Sequence, residues 1–226
     1  MLWFKTLEPE PGIDALSKEI ILALRTGKKV LWFVCGGSNV PAAVKAMDII
    51  RERADENILP NLTVAQTDER YGPIGHKHSN WRQMMDTGFT ADKINVIPML
   101  VGKSLEATVS DHADQIETAL KETSRTGGLV IALFGIGADG HIAGILPGSP
   151  ALADPRYVSG YEASQFTRIT LTPPAIRKIH SAYLLAFGPA KKYSLTNLRD
   201  RVKKIDREPS QLLKELSLVR VYSDQL

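Results

Sequence analysis

The stretch Leu129-Val130-Ile131-Ala132-Leu133-Phe134-Gly135-Ile136-Gly137-Ala138-Asp139-Gly140-His141-Ile142-Ala143-Gly144 decides how this chain folds. Its first six residues are apolar without a break. That is the pattern of a strand buried on both faces, as in a parallel sheet covered by helices. Gly135, Gly137 and Gly140 then permit a tight loop that carries Asp139 and His141. Histidine is the side chain best suited to take a proton from water near neutrality, and a nearby carboxylate can fix its tautomer. The bland alternative is a helix-capping Asp139 beside an incidental His141.

Outward from this stretch, further strands are expected at Val30–Val34, Leu62–Gln66, Asn95–Ile97, Arg168–Leu171, Ala182–Phe187 and Leu218–Tyr222. Helices are expected at Ile13–Thr26, Pro41–Arg53, Leu105–Thr123, Pro189–Leu198 and Pro209–Leu216. The alternation predicts an α/β fold: a single doubly wound, mostly parallel sheet flanked by helices. Right-handed crossovers bring the C-terminal strand ends to one edge, where ligands bind. Gly144–Ser164 reads as an irregular excursion, and with no linker or repeat the chain 1–226 reads as one domain.

Three more segments follow predicted strands. Cys35-Gly36-Gly37-Ser38-Asn39-Val40-Pro41 combines two glycines, polar side chains and a helix start, which suits a phosphate. It also suits a plain strand-to-helix turn capped by Ser38 or Asn39. Thr67-Asp68-Glu69-Arg70-Tyr71-Gly72-Pro73 puts acid and base at a strand end, as either a site edge or a surface ion-pair turn. Arg168 opens a strand and Lys191 lies in the first turn of a helix. Both can face an anionic ligand, and each alone also reads as a solvated charge.

Composition excludes several classes. With 226 residues, 43% hydrophobic, the chain can build a sizeable core. One cysteine, Cys35, forbids an intramolecular disulfide and reads as a buried small residue rather than a nucleophile. A net charge of +3, with only short basic groups such as Arg201–Lys204, gives no footprint for nucleic acid. No apolar run spans a bilayer, and Met1–Glu8 lacks the pattern of a secretory signal, so a cytoplasmic setting is expected. His76 and His78 lack a third ligand nearby, so no metal is expected. Trp3, Trp32 and Trp81 read as packing residues, and neither a dinucleotide fingerprint nor a serine-hydrolase elbow occurs.

Taken in order, these segments resemble the 6-phosphogluconolactonase family, within the glucosamine-6-phosphate isomerase/lactonase superfamily. The matching pieces are Gly36-Gly37-Ser38, Asp68-Glu69-Arg70 with Pro73, Ser79-Asn80, Gly135 to His141 with Pro147-Gly148, Arg168 to Thr172, and Gly188 with Lys191. The resemblance implies hydrolysis of 6-phospho-D-glucono-1,5-lactone to 6-phosphogluconate, in the oxidative pentose phosphate pathway, with no metal or organic cofactor. The related deaminases also look like Gly-x-Gly-x-Asp-Gly-His-Ile-Ala. They continue Phe-Asn-Glu-Pro, where this chain has Gly144-Ile145-Leu146-Pro147, so Leu146 takes the Glu position. The chain departs from the lactonase pattern at Asn39-Val40-Pro41, where the proline comes one place late, and at Gly72, Ile142 and Gly144.

On this reading His141 is the general base and Asp139 orients it, with Arg70 stabilising the charge that develops on the carbonyl. Gly36, Gly37, Ser38, Asn39, Asp68, Arg168 and Lys191 are the expected substrate and phosphate contacts. The expected partner is a phosphorylated sugar lactone, with no nucleic acid or membrane, and the expected state is a monomer or weak homodimer. Two other readings stay open: a hexosamine-phosphate isomerase or deaminase, and a non-catalytic sugar-phosphate sensor. Sensors of this kind carry a DNA-binding domain ahead of the fold, and a first strand near residue 30 would leave no room for one.

Overall fold

The computed structural model describes residues 1–226. Its ten strands are β1 (Leu2–Lys5), β2 (Val30–Val34), β3 (Leu62–Gln66), β4 (Asp68–Arg70), β5 (Asn95–Ile97), β6 (Leu129–Phe134), β7 (Val158–Glu162), β8 (Thr167–Leu171), β9 (Ser181–Leu185) and β10 (Leu218–Ser223). Its α-helices are α1 (Glu10–Arg25), α2 (Val40–Arg53), α3 (Asn80–Asp86), α4 (Leu105–Arg125), α5 (Pro173–Ile176) and α6 (Lys192–Asp200). Seven strands form a fully parallel sheet in the order β1-β10-β9-β6-β2-β3-β5.

The uninterrupted apolar strands serve two cores at once. Along β2, Leu31 and Phe33 face one core, whereas Val30, Trp32 and Val34 face the other. The first core is closed by α4 through Val109, Ala113, Ile116 and Leu120. The second is closed by α1 (Ile13, Leu16, Ile20, Leu24) and α2 (Val44, Met47, Ile50). The Ser104 hydroxyl caps α4 by accepting from the Ala107 amide at 3.3 Å. No helix is long and apolar enough to cross a membrane.

The chain leaves β2 towards β3 on one side and leaves β6 towards β9 on the other. Connections after β2 and β6 therefore part from each other, which opens a crevice at their C-terminal ends.

A second, antiparallel sheet of β4, β8 and β7 continues from the end of β3. The sequence reading does not foresee it. Thr67–Pro73 holds the strand β4, Arg168–Leu171 belongs to this small sheet, and the supposedly irregular Gly144–Ser164 contains β7. These strands are short and polar, and they exist through pairing between distant segments. Two further corrections concern the ends. The first strand is β1 at Leu2, a half-exposed edge strand on β10, not a strand near residue 30. Pro209–Glu215 is a run of 3₁₀ turns, not an α-helix.

Pleating sends Asp68 and Arg70 to one side of β4 and Glu69 to the other. The fully buried Glu69 carboxylate accepts from the Arg70 (2.7 Å), Asn80 (2.6 Å) and Trp81 (2.9 Å) amides. It also accepts from the Gln66 side chain at 2.9 Å and the Ser79 hydroxyl at 2.8 Å. An anion at the start of α3 thus ties that helix to β4.

Phe33→Ala should lower the unfolding free energy by about 3–5 kcal/mol in urea titrations. Glu69→Gln should cost about 1–3 kcal/mol, because an amide NH₂ would then oppose donors. Unchanged unfolding midpoints would contradict both assignments.

Candidate active site

A cleft of about 220 Å³ occupies the crevice between β2 and β6. Cys35–Ser38 form one wall, Gly135, Ile136, His141 and Ala143 a second, and Asp68, Arg70, Arg168 and Lys191 complete it. A larger groove of about 560 Å³ lies beside α4, but its arginines are already paired. Arg156 holds Asp154 at 2.7 Å and Arg177 holds Glu215 at 2.6 Å.

His141 and Asp139 meet in the loop after β6. The Asp139 Oδ1 accepts from the His141 Nδ1 at 2.6 Å and from the His141 backbone amide at 3.2 Å. The imidazole hydrogen bond holds the Asp139 carboxyl down at about 2. The carboxylate is therefore ionised and can only accept, so the proton sits on Nδ1. In the neutral ring this tautomer leaves the lone pair on Nε2, which makes no hydrogen bond within the protein. Gly137 makes the pair possible, since a Cβ there would overlap the His141 ring and the Asp139 carboxylate.

The small sheet supplies the positive charge. Arg70 and Arg168 stand directly opposite each other across β4 and β8. Like charges in that register repel. The nearest relief is Asp68, whose Oδ2 lies 3.9 Å from the Arg168 Nη1. Burial pushes the Asp68 carboxyl up, while Arg70, the Thr67 hydroxyl and Arg168 pull against it. The Arg70 Nη1 donates to the His78 carbonyl at 3.0 Å, and its guanidinium covers the Phe166 ring at 5.5 Å. The Nε of each arginine is buried without a partner. Two paired cations with free buried donors make a place for an anion. Lys191 adds a third cation, its Nζ fixed by the Ile136 carbonyl at 2.6 Å.

The loop after β2 divides its labour. Gly36 has no room for a Cβ, which would overlap the Asn80 amide beneath it. Gly37 takes φ +67°, and Ser38 is exposed on the cleft wall. Asn39 is not part of that wall: its buried amide donates to the Phe134 and Leu185 carbonyls, both at 3.0 Å. It ties the ends of β6 and β9 together. Cys35 is buried, and burial together with the Asp68 charge pushes its thiol up to about 12, which leaves no thiolate for chemistry. His76 donates from Nε2 to the Arg70 carbonyl at 2.8 Å, and the His78 ring lies against Phe166 at 5.1 Å.

Sequence reasoning assigned no role to Glu69, Asn80, Tyr161 or Thr170. The Asn80 amide donates to the Asp68 carbonyl at 3.0 Å, and the available signals were the matching pieces Asp68-Glu69-Arg70, Ser79-Asn80 and Arg168 to Thr172, which contain Glu69, Asn80 and Thr170. Tyr161 and Thr170 lie on β7 and β8, whose pairing no local pattern announces.

Comparison with known proteins fits this architecture. A 6-phosphogluconolactonase of Borreliella burgdorferi is 29% identical over 155 residues, covering 66% of each chain. The chain spans about half the length of other curated relatives it matches, which also carry that name. Among solved structures, a 6-phosphogluconolactonase from Leishmania guyanensis superposes with a TM-score of 0.79 at 19% identity, over 99% of this chain and 96% of that one. A monomeric glucosamine-6-phosphate deaminase superposes with 0.78 at 17% identity, over 100% and 98%. At such identities the superpositions show the fold alone. The match that decides descent runs over residues 12–220, from α1 into β10, and takes in both loops of the cleft and the small sheet. By that match the chain belongs to the family of glucosamine-6-phosphate isomerases and 6-phosphogluconolactonases.

Proposed function

We propose that this chain hydrolyses 6-phospho-D-glucono-1,5-lactone to 6-phosphogluconate, with water activated by His141. The observation that carries the reading is one cleft holding an oriented imidazole and the facing pair Arg70 and Arg168. A phosphorylated lactone needs both: a base for water and cations for a dianion.

The phosphate rests on Arg168, Lys191 and the Gly36–Ser38 loop. Lys191 has donors to spare beyond the one given to Ile136. Asn39 supports this subsite through the strand ends it ties. His141 takes a proton from water at Nε2 while Asp139 holds Nδ1–H and stabilises the cation that forms. The resulting hydroxide attacks the lactone carbonyl, and Arg70 stabilises the oxyanion. Collapse breaks the bond to the ring oxygen, which takes the proton back from His141. Positioning and general-base help, the latter worth about 10²–10⁴ in rate, are sufficient for an already activated ester.

The deaminase reading has the superposed fold and the run His141-Ile142-Ala143 in its favour. The deaminases carry a glutamate for their ring-opening histidine at the position of Leu146, and Leu146 offers His141 no such second carboxylate beside Asp139.

His141→Ala should lose nearly all acceleration of lactone opening above the spontaneous rate, with the fold retained. Asp139→Asn should lower kcat by about 10²–10⁴ by releasing the tautomer. The Asp139 carboxyl is held down at about 2, so the orienting charge should persist, and the rate should not be lost through Asp139, until the pH falls towards that value. Proton release from freshly generated lactone measures all three. A well-folded wild type that gives no acceleration, yet consumes a hexosamine phosphate, would replace this reading with the deaminase one.

A further inference from the structure

The chain turns sharply just after His141. The Ile145 amide donates to the Ile142 carbonyl at 2.9 Å, and the two residues form an isolated antiparallel bridge. Ala143, at the first central position of the turn, has φ +50°. Gly144, at the second, does not share that left-handed backbone. Turns of this kind ordinarily place glycine first, because a Cβ at positive φ crowds the backbone. Here the order is reversed, and the strained residue carries the methyl group. Lys93, in an exposed turn, is the only other non-glycine residue with positive φ.

Space explains the reversal. A Cβ at position 144 would come within 2.9 Å of the Thr170 Cβ and 3.0 Å of the Asp68 Cβ, so this position must be glycine. Ala143 lines the cleft, where its methyl meets the substrate space. Strained backbone persists only where its surroundings over-determine it. The small sheet does so here. The Gly144 carbonyl accepts from the Tyr161 hydroxyl at 2.5 Å, and the Gly144 amide donates to the Thr170 Oγ1 at 3.0 Å. The Tyr161 oxygen also accepts from the Leu146 amide at 3.3 Å. Tyr161 stands opposite Arg168 on β7 and β8, so clamp and cations ride on one platform.

We propose that Tyr161 and Thr170 are positioning residues: they clamp the strained Ala143-Gly144 turn and so hold His141 at its working angle to the cations of the small sheet. The inference rests on the lactonase reading for its kinetic consequence, while its structural half stands independently.

Two variants and their combination test it. Tyr161→Phe keeps the ring and removes the clamp. It should lower kcat by up to about 10²-fold, the cost of a small misplacement, while KM changes little. Ala143→Gly removes the strain. It should raise the melting temperature, and it should lower kcat by loosening the turn. In the double variant the stability loss from Tyr161→Phe should shrink, because less strain remains to be held. Additive stability effects, a lower melting temperature for Ala143→Gly, or wild-type kcat in Tyr161→Phe would each overturn the clamp. If wild type itself fails to open the lactone, the functional reading is lost, and the stability cycle alone decides whether the clamp exists.

Discussion

Everything at the candidate site depends on the parting of two neighbouring strands. β2 and β6 run side by side, yet their chains leave in opposite directions, to β3 and to β9. No crossover fills the space between their ends, so backbone amides and short polar side chains collect there. Strand ends that diverge must also be held, because their last carbonyls lose their neighbours in the ladder. Asn39 does this by giving both amide hydrogens to Phe134 and Leu185. A residue that looks like a ligand contact in the sequence thus serves to keep the crevice in shape.

The small antiparallel sheet is the second requirement. Alone, the parallel sheet offers glycine loops and the His141–Asp139 pair, but little positive charge. β4 and β8 add Arg70 and Arg168 in a register that sets like charges opposite each other, with Asp68 as the nearest relief. Glu69, on the other side of β4, anchors this arrangement to α3 through five accepted hydrogen bonds. Stability is thereby concentrated on one side of the strand, and two facing cations with Asp68 as their nearest counter-charge are tolerated on the other. Such local conflict is what a binding surface requires before its ligand arrives.

Residue by residue, legibility follows burial. β2, β3, β6, β9 and β10 could be read because each is a largely apolar run with few interruptions, most of it buried. The His141–Asp139 pair could be read because its partners are two positions apart on a glycine loop. β4 and β7 could not. Asp68-Glu69-Arg70 and Val158-Ser159-Gly160-Tyr161-Glu162 carry no strand periodicity strong enough to outweigh their polarity, and their pairing spans the chain. The duty of Asn39 was hidden for the same reason: its partners lie 95 and 146 residues away.

The central claim is that His141 delivers water directly to the lactone carbonyl. Single-turnover hydrolysis in water enriched in heavy oxygen, with enzyme in excess, tests it most directly. The account predicts one labelled oxygen in the carboxylate of the 6-phosphogluconate formed and no label in the protein. Label recovered in Asp68, the buried carboxylate of the cleft, would mean that a side chain attacks first, and it would contradict the account.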